Sequence, residues 1–190
     1  MNNNSKRWKL LLQITFIGAV IALAFWAAQF AQENTAVQAL ISSYGYLAIF
    51  LVSIISGFNL VVPIPAVSFL PLFLESGLSL WVLLFTMTAG VTLADIIAYL
   101  VGKSGRQIAI MENHSKLFVK IDTLRAKYHS APLFILFAFA SIVPLPNEIL
   151  VLPMGFIGYR LREIILPVLL GNGVFNTITA FGIISLFQVL

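Results

Sequence analysis

The sequence lacks cysteine and has few charged residues, and each of these features excludes a class of protein. Without a cysteine among its 190 residues, the chain has no disulfide, no thiolate metal site and no thiol nucleophile. Only 9% of the residues are charged, whereas a soluble domain has about 25%. A soluble globular fold is therefore excluded, because the polar residues needed to cover its surface are missing.

The sequence is rich instead in long apolar runs. Apolar residues make up 60% of the chain, and the run from Leu10 to Phe30 has the length of one membrane-spanning helix. The basic sequence SKRWK precedes this run, and a cleaved signal peptide is the weaker alternative because its apolar core would be shorter. We therefore predict an all-α integral membrane protein. Its residues 1–45 would comprise a basic cytoplasmic N-terminus, a transmembrane helix and an interfacial segment.

Two proline-rich breaks interrupt apolar runs that otherwise suit the middle of a bilayer. VPIP begins at Val62, and VPLP begins at Val143 and is followed by Asn147 and Glu148. Proline removes a backbone donor and clashes with the preceding helical turn, so each sequence predicts a broken helix. Four prolines are expected to shape the two loops rather than to touch a substrate: Pro63, Pro65, Pro144 and Pro146.

A shift of 81 residues aligns the two breaks and predicts an internal repeat. The same shift places Gly90 on Gly171 and Asp95 on Asn176 without a gap. Each repeat would consist of a broken helical hairpin followed by a transmembrane helix. The predicted units are repeat 1 (46–102), an amphipathic cytoplasmic linker (103–130) and repeat 2 (131–190).

The basic residues indicate whether each break crosses the membrane or returns. If Leu10–Phe30 crosses outward and each broken hairpin leaves on the side it entered, all eleven Lys and Arg residues lie in the cytoplasm. A full crossing at the first break would export the six basic residues between 103 and 127. Re-entrant hairpins from opposite sides make the repeat inverted, an arrangement typical of secondary transporters. We expect the chain in the plasma (inner) membrane of a prokaryote, with its N-terminus in the cytoplasm.

Four segments of the chain carry prolines, glycines and polar residues in a spaced pattern. They are VPIP, GVTLADIIAYLVGKSG, YHSAPLFILFAFASIVPLPNE and GFIGYRLREIILPVLLGNGVFNT. Together these segments resemble the DedA family of membrane proteins, also called the VTT or SNARE-associated family, over residues 45–182. The resemblance implies two facing re-entrant hairpins and a role in moving lipids, as a scramblase or as a carrier of phospholipid or polyprenyl-phosphate lipid. It also implies proton dependence, which is inferred for bacterial members.

The chain departs from the family pattern at three charged positions. Bacterial core members have a glutamate after the first Pro-x-Pro and two arginines around the second, where this sequence has Val67, Ser141 and Asn147. Glu148 is present instead. The resemblance therefore implies the fold more directly than it implies phosphate-carrier chemistry.

Four polar residues are candidates for a substrate or proton path inside the membrane: Asp95, Asn147, Glu148 and Asn176. A carboxylate at membrane depth is costly, so Asp95 and Glu148 indicate function. The structural alternative is that these carboxylates accept bonds from backbone amides freed at the helix breaks. The two asparagines suit a wet cavity or, alternatively, hydrogen bonds between helices.

Other residues are predicted to have packing or surface roles. Gly90 and Gly171 allow close helix packing. Three basic residues are candidates for weak contact with lipid phosphate at the cytoplasmic face, or for topology anchors: Lys103, Arg160 and Arg162. His114 and His129 have no partner at metal-ligand spacing, so no metal is predicted.

These expectations favour a lipid transporter or scramblase. A proton-coupled transporter of a small solute is the main alternative, because two carboxylates are available, and a membrane scaffold without transport is another. An enzyme is not expected, since the sequence has neither a serine-protease loop with an intramembrane histidine nor a histidine-rich phosphatase motif. Membrane lipids are the expected partners, and protons and a second copy of the chain are left open. No nucleic acid and no cofactor are expected.

Overall fold

The structure is a computed structural model that describes residues 33–58, 65–111 and 130–189, together with Thr123, Lys127 and Tyr128. All regular elements in these residues are helices, which confirms the predicted all-α class. The α-helices are α1 (Thr35–Gly57), α2 (Leu70–Glu75), α3 (Leu80–Met111), α4 (Ser130–Ile142), α5 (Glu148–Ile157) and α6 (Leu161–Val189), and a short 3₁₀ helix (Ala66–Phe69) precedes α2.

Three helices are long and apolar enough to cross a membrane. These stretches are Ala39–Gly57 in α1, Leu80–Ile108 in α3 and Leu161–Ser185 in α6. They agree with an integral membrane protein. The predicted transmembrane helix at 10–30, Pro63 and most of the predicted linker lie outside the described residues.

Two helices differ from the predicted boundaries. The sequence predicts an interfacial segment that ends at residue 45, but α1 runs without a break from Thr35 through Gly45. The helix begins where the side-chain oxygen of Asn34 accepts a hydrogen bond from the N–H of Ala36 at 3.1 Å, and no proline follows before Gly57. Likewise, α3 continues past the predicted end of repeat 1 to Met111.

Buried apolar side chains form two clusters. The first joins α1, the 3₁₀ helix and α2 to α3, with Ile49 and Leu83 fully buried, and it includes Ala180 of α6. The second joins α4, α5 and α6, with Leu136 fully buried, and it includes Tyr99 of α3. Because α3 and α6 contribute to both clusters, these two helices hold the two halves of the chain together.

The first half folds back on itself beside α3. A Cβ atom at Gly45 would lie 2.7 Å from Leu78, and one at Gly57 would lie 2.4 Å from the Cβ of Ala94. From the first contact to the second, the residue number rises on both partners, so α1 and α3 run parallel. Helix α1 therefore ends about midway along the apolar stretch of α3. The chain that leaves α1 at Gly57 is back beside Gly45 when it reaches Leu78.

The second half of the chain packs along the C-terminal half of α3. Asn147, which precedes α5, is hydrogen-bonded to Asp95 near the middle of α3. The last carbonyl groups of α5, on Phe156 and Ile157, accept hydrogen bonds from Arg106 near the end of α3. Helix α5 therefore runs parallel to α3 from its middle to its C-terminal end, on the half that α1 does not reach.

The two glycines predicted to allow close packing are both at helix contacts. A Cβ at Gly90 would lie 2.6 Å from the Cβ of Ser53 in α1. A Cβ at Gly171 would lie 2.5 Å from the Cβ of Ala140 in α4. In each half, a glycine thus allows the long helix to approach the helix that precedes the break.

We expect Gly102→Ala to destabilise the fold by about 1–3 kcal/mol, because overpacking a close contact costs energy in this range. The new Cβ would lie 2.0 Å from the carbonyl oxygen of Leu152, so α3 and α5 would have to separate. Gly105→Ala is the matched control on the same helix, since its Cβ would lie 3.6 Å from Phe156 in ordinary contact. That control should be neutral or stabilising by about 0.5–1 kcal/mol. Equal unfolding free energies of the two variants in detergent would contradict the close contact.

Candidate functional site

A cluster of polar side chains is buried between α3, α6 and the second break. Charged and polar groups at this depth are costly unless they are hydrogen-bonded or lie beside a water-filled space. The six side chains that form the cluster are each at most 9% exposed: Thr88, Thr92, Asp95, Asn147, Asn172 and Asn176.

Asp95 lies at the centre of this cluster. It is 1% exposed. Its Oδ2 accepts a hydrogen bond from the side-chain amide of Asn172 at 2.8 Å and another from that of Asn147 at 3.2 Å. The donors are therefore side-chain amides, not the freed backbone amides of the structural alternative.

Asn172 connects the members of the cluster. Besides its bond to Asp95, its amide donates to Thr92 Oγ1 at 3.1 Å, and its carbonyl oxygen accepts from Asn147 at 2.8 Å. Sequence reasoning missed this residue. The available signal was its position four residues before Asn176, which places both asparagines on one face of α6.

A second asparagine–threonine pair fixes the direction of the two long helices. The amide of Asn176 donates to Thr88 Oγ1 at 3.1 Å, one helical turn away from the bond between Asn172 and Thr92. Since the residue numbers rise on α3 as they fall on α6, these helices run antiparallel where they cross. If both cross the membrane, they cross it in opposite directions.

The second oxygen of the Asp95 carboxyl group, Oδ1, does not take part in these hydrogen bonds. Asp95 Oδ1 is buried and has no hydrogen-bond partner among the described residues. Most buried polar atoms have a partner in the protein or in ordered water. This oxygen is therefore a place where a proton, a water molecule or a polar ligand group would be stabilised.

The second break places Asn147 and Glu148 at the start of α5. The carbonyl of Asn147 accepts from the N–H of Val151 at 2.9 Å, as in an N-terminal cap, but its side chain reaches Asp95 and Asn172 instead of capping the helix. Glu148 is 5% exposed and lies in the first turn, where the positive end of the helix dipole stabilises a carboxylate.

The two breaks line one cavity of about 220 Å³. Pro65 comes from the first break, Pro144 and Pro146 come from the second, and Asn172 and Asn176 form part of its wall. A water molecule takes about 30 Å³ in the liquid, so the cavity has room for several waters or for a small polar group. No side chain among the described lining residues is charged.

The predicted path residues therefore occupy two layers. Asn147 and Asn176 line the cavity. Asp95 does not line it, but both of its donors, Asn147 and Asn172, do. Asp95 thus lies one residue behind the cavity wall, and Glu148 lies beside Asn147 in the chain.

The predicted basic residues lie elsewhere, near the end of α3. Lys103 and Arg160 line a second cavity of about 320 Å³, together with Arg106, which the sequence reasoning did not single out. Arg162 is exposed and is not among the described lining residues of that cavity. In the part of the chain that the structure describes, no group of His, Asp and Glu is suited to a metal ion, and both histidines lie outside it.

Comparisons of the chain with protein-family models, curated proteins and solved structures find no match. The resemblance to the DedA family therefore stays a prediction from the quoted motifs.

Proposed function

We propose that the chain is a lipid transporter of the scramblase type, which moves phospholipid or polyprenyl-phosphate lipid between the two leaflets. The observation that carries the proposal is the single cavity that both proline breaks line, with a layer of asparagines on its wall. A lipid headgroup is stopped by the cost of entering hydrocarbon. A polar cavity at membrane depth lowers that cost, while the lipid tails stay in the bilayer.

We further propose that the two hairpins are re-entrant and that the repeat is inverted. Three observations support this arrangement: α1 ends beside Ala94 midway along α3, α5 begins beside Asp95 and leaves towards the other end of α3, and α3 and α6 are antiparallel. Helix α3 begins at Leu80 and α6 begins at Leu161, which matches the shift of 81 residues. The positive-inside rule then assigns the end with Lys103 to the cytoplasm.

The lining favours broad, downhill exchange over selective uptake. Asn147, Asn172 and Asn176 can donate and accept hydrogen bonds without a charge, so they suit headgroups of different chemistry. Because the described lining has no basic side chain, nothing there clamps a phosphate tightly. The proposal contains no catalytic step and needs no cofactor. The DedA resemblance of the sequence agrees with it.

A proton-coupled transporter of a small solute is the second candidate. The observation that favours it is the buried Oδ1 of Asp95, which can take a proton one residue behind the cavity wall. Glu148 provides a second buried carboxyl group, next in the chain to the cavity-lining Asn147. A pH gradient would then drive a solute through the same cavity.

A dithionite assay separates these functions. Liposomes hold a fluorescent phospholipid in both leaflets, and external dithionite bleaches about half of the signal when no lipid crosses. We expect bleaching well beyond half only in vesicles that contain folded protein. Bleaching that stops at the protein-free level would contradict scrambling, and a solute flux driven by a pH gradient in the same vesicles would favour the second candidate.

Two tryptophan variants test whether lipid uses the cavity. Val143→Trp places a large side chain on the cavity lining and should slow the additional bleaching to the protein-free rate. Ile142→Trp is the matched control, since the neighbouring Ile142 is 72% exposed and does not line the cavity. The control should bleach like the unchanged chain. Equal rates for both variants would show that lipid crosses elsewhere.

A further inference from the structure

The second cavity is lined by three basic side chains. Lys103 and Arg106 come from the C-terminal part of α3, and Arg160 comes from the connection between α5 and α6. The cavity has a volume of about 320 Å³, enough for a phosphate group and its water. Tyr99 and Tyr159 also line it, and tyrosine is enriched at the level of lipid headgroups.

The described lining of this cavity has a single sign of charge. None of the described lining residues is acidic. Glu163 is close in sequence, but its Oε2 accepts a hydrogen bond from the backbone N–H of Arg160 at 2.8 Å, at the start of α6. Three basic side chains on one concave surface attract an anion.

Part of the cavity is held in place before any ligand arrives. Arg106 donates to the carbonyl oxygens of Phe156 and Ile157, so its guanidinium is fixed at the end of α5. The hydroxyl of Tyr99 donates to the carbonyl oxygen of Tyr159 at 2.9 Å and fixes a second part of the lining. A guanidinium matches the geometry of phosphate oxygens, and a fixed one loses little freedom when it binds.

We propose that this cavity binds a phosphate group, carried either by an anionic membrane lipid or by free phosphate. Basic pockets between transmembrane helices are suited to phosphate headgroups. The site is distinct from the uncharged cavity between the two breaks. Binding here requires no movement of lipid between leaflets, so this proposal and the transport proposal stand or fall separately.

Binding titrations in neutral detergent test the site. The ligands are short-chain phosphatidic acid, short-chain phosphatidylcholine and inorganic phosphate, and the readout is the heat of binding at low ionic strength. The test variant, Lys103→Gln with Arg160→Gln, removes two exposed lining charges. The control, Arg162→Gln with Lys127→Gln, removes two exposed charges that are not on the described lining.

We expect the test variant to bind phosphatidic acid at least about tenfold more weakly, since each of its two substitutions removes a charged hydrogen-bond donor. The control should stay close to the unchanged chain, and phosphatidylcholine should bind more weakly than phosphatidic acid throughout. If inorganic phosphate binds as tightly as phosphatidic acid, the source is free phosphate, and if it binds far more weakly, the source is lipid. Arg160→Gln alone, with a smaller loss, serves if the double variant does not fold. Equal binding by test and control variants, or no binding by the unchanged chain, would overturn the proposal.

Discussion

Asn172→Leu is expected to destabilise the fold by about 2–5 kcal/mol, because it removes three buried hydrogen bonds, one of them to a carboxylate. Leucine has a similar size but no polar atom, so Asp95 would keep only its bond to Asn147. A carboxylate with fewer donors at membrane depth costs more than the lost contacts alone. The unfolding free energy in mixed detergent measures the loss.

Asn176→Leu is the matched control for this prediction. It makes the same chemical change on the same face of α6, but the side chain that it removes has one hydrogen bond within the cluster, to Thr88. We expect a loss of about 1 kcal/mol. A double-mutant cycle of Asn172→Leu with Asp95→Leu should show that much of the first cost disappears when the carboxylate is absent. Equal losses at both asparagines, without coupling to Asp95, would contradict the central position of Asn172.

The helical class and the long apolar stretches could be predicted from the sequence, but two boundaries could not, and the one at residue 45 shows why. The apolar runs fix three stretches by length and composition. The mildly polar stretch before Gly45 predicts a separate interfacial segment, yet it continues into α1. An isolated glycine weakens a helix by about 1 kcal/mol, but close packing against Leu78 uses the space that the missing side chain leaves. That contact joins residues far apart in sequence and cannot be read from either segment alone.

The candidate site was predicted in part. Asp95 and Asn147 were expected inside the membrane, and they are hydrogen-bonded to each other. The repeat aligns Asp95 with Asn176 and gives no signal for Asn172. In an antiparallel crossing, however, aligned residues meet only near the crossing point, and Asp95 and Asn176 lie on opposite sides of that point. Asp95 therefore meets Asn172, and Asn176 meets Thr88 instead.

Arg106 shows the same limit at the end of α3. As one basic residue in a charged segment, it resembles a topology anchor. Its role depends on where α5 ends, because its guanidinium binds the last carbonyl groups of that helix. The end of α5 is set by Gly158, whose φ of 96° lies in the left-handed region that favours glycine. Only the folded chain brings these two ends together.

We expect each end of the two hairpins to lie on a fixed side of the membrane. If the first hairpin returns to the side it entered, residues before α1 and after α2 lie on one side. If the second hairpin enters from the opposite side, residues before α4 and after α5 lie on the other side. Under both conditions, the tips of the two proposed hairpins would meet midway along α3, where Val91 lines the polar cavity. A cysteine placed at either end of a hairpin should therefore be labelled from outside the cell either fully or not at all.

Labelling of single cysteines with a membrane-impermeant maleimide tests this arrangement most directly, and the cysteine-free sequence gives a clean background. Five exposed positions are suitable: Ser42, Ser79, Ser104, Ser130 and Arg162. We expect cysteines at 42 and 79 to react in intact cells, and those at 104, 130 and 162 to react only after permeabilisation. Reaction of 42 and 79 from opposite sides, or of 104 in intact cells, would contradict the inverted arrangement of the two hairpins.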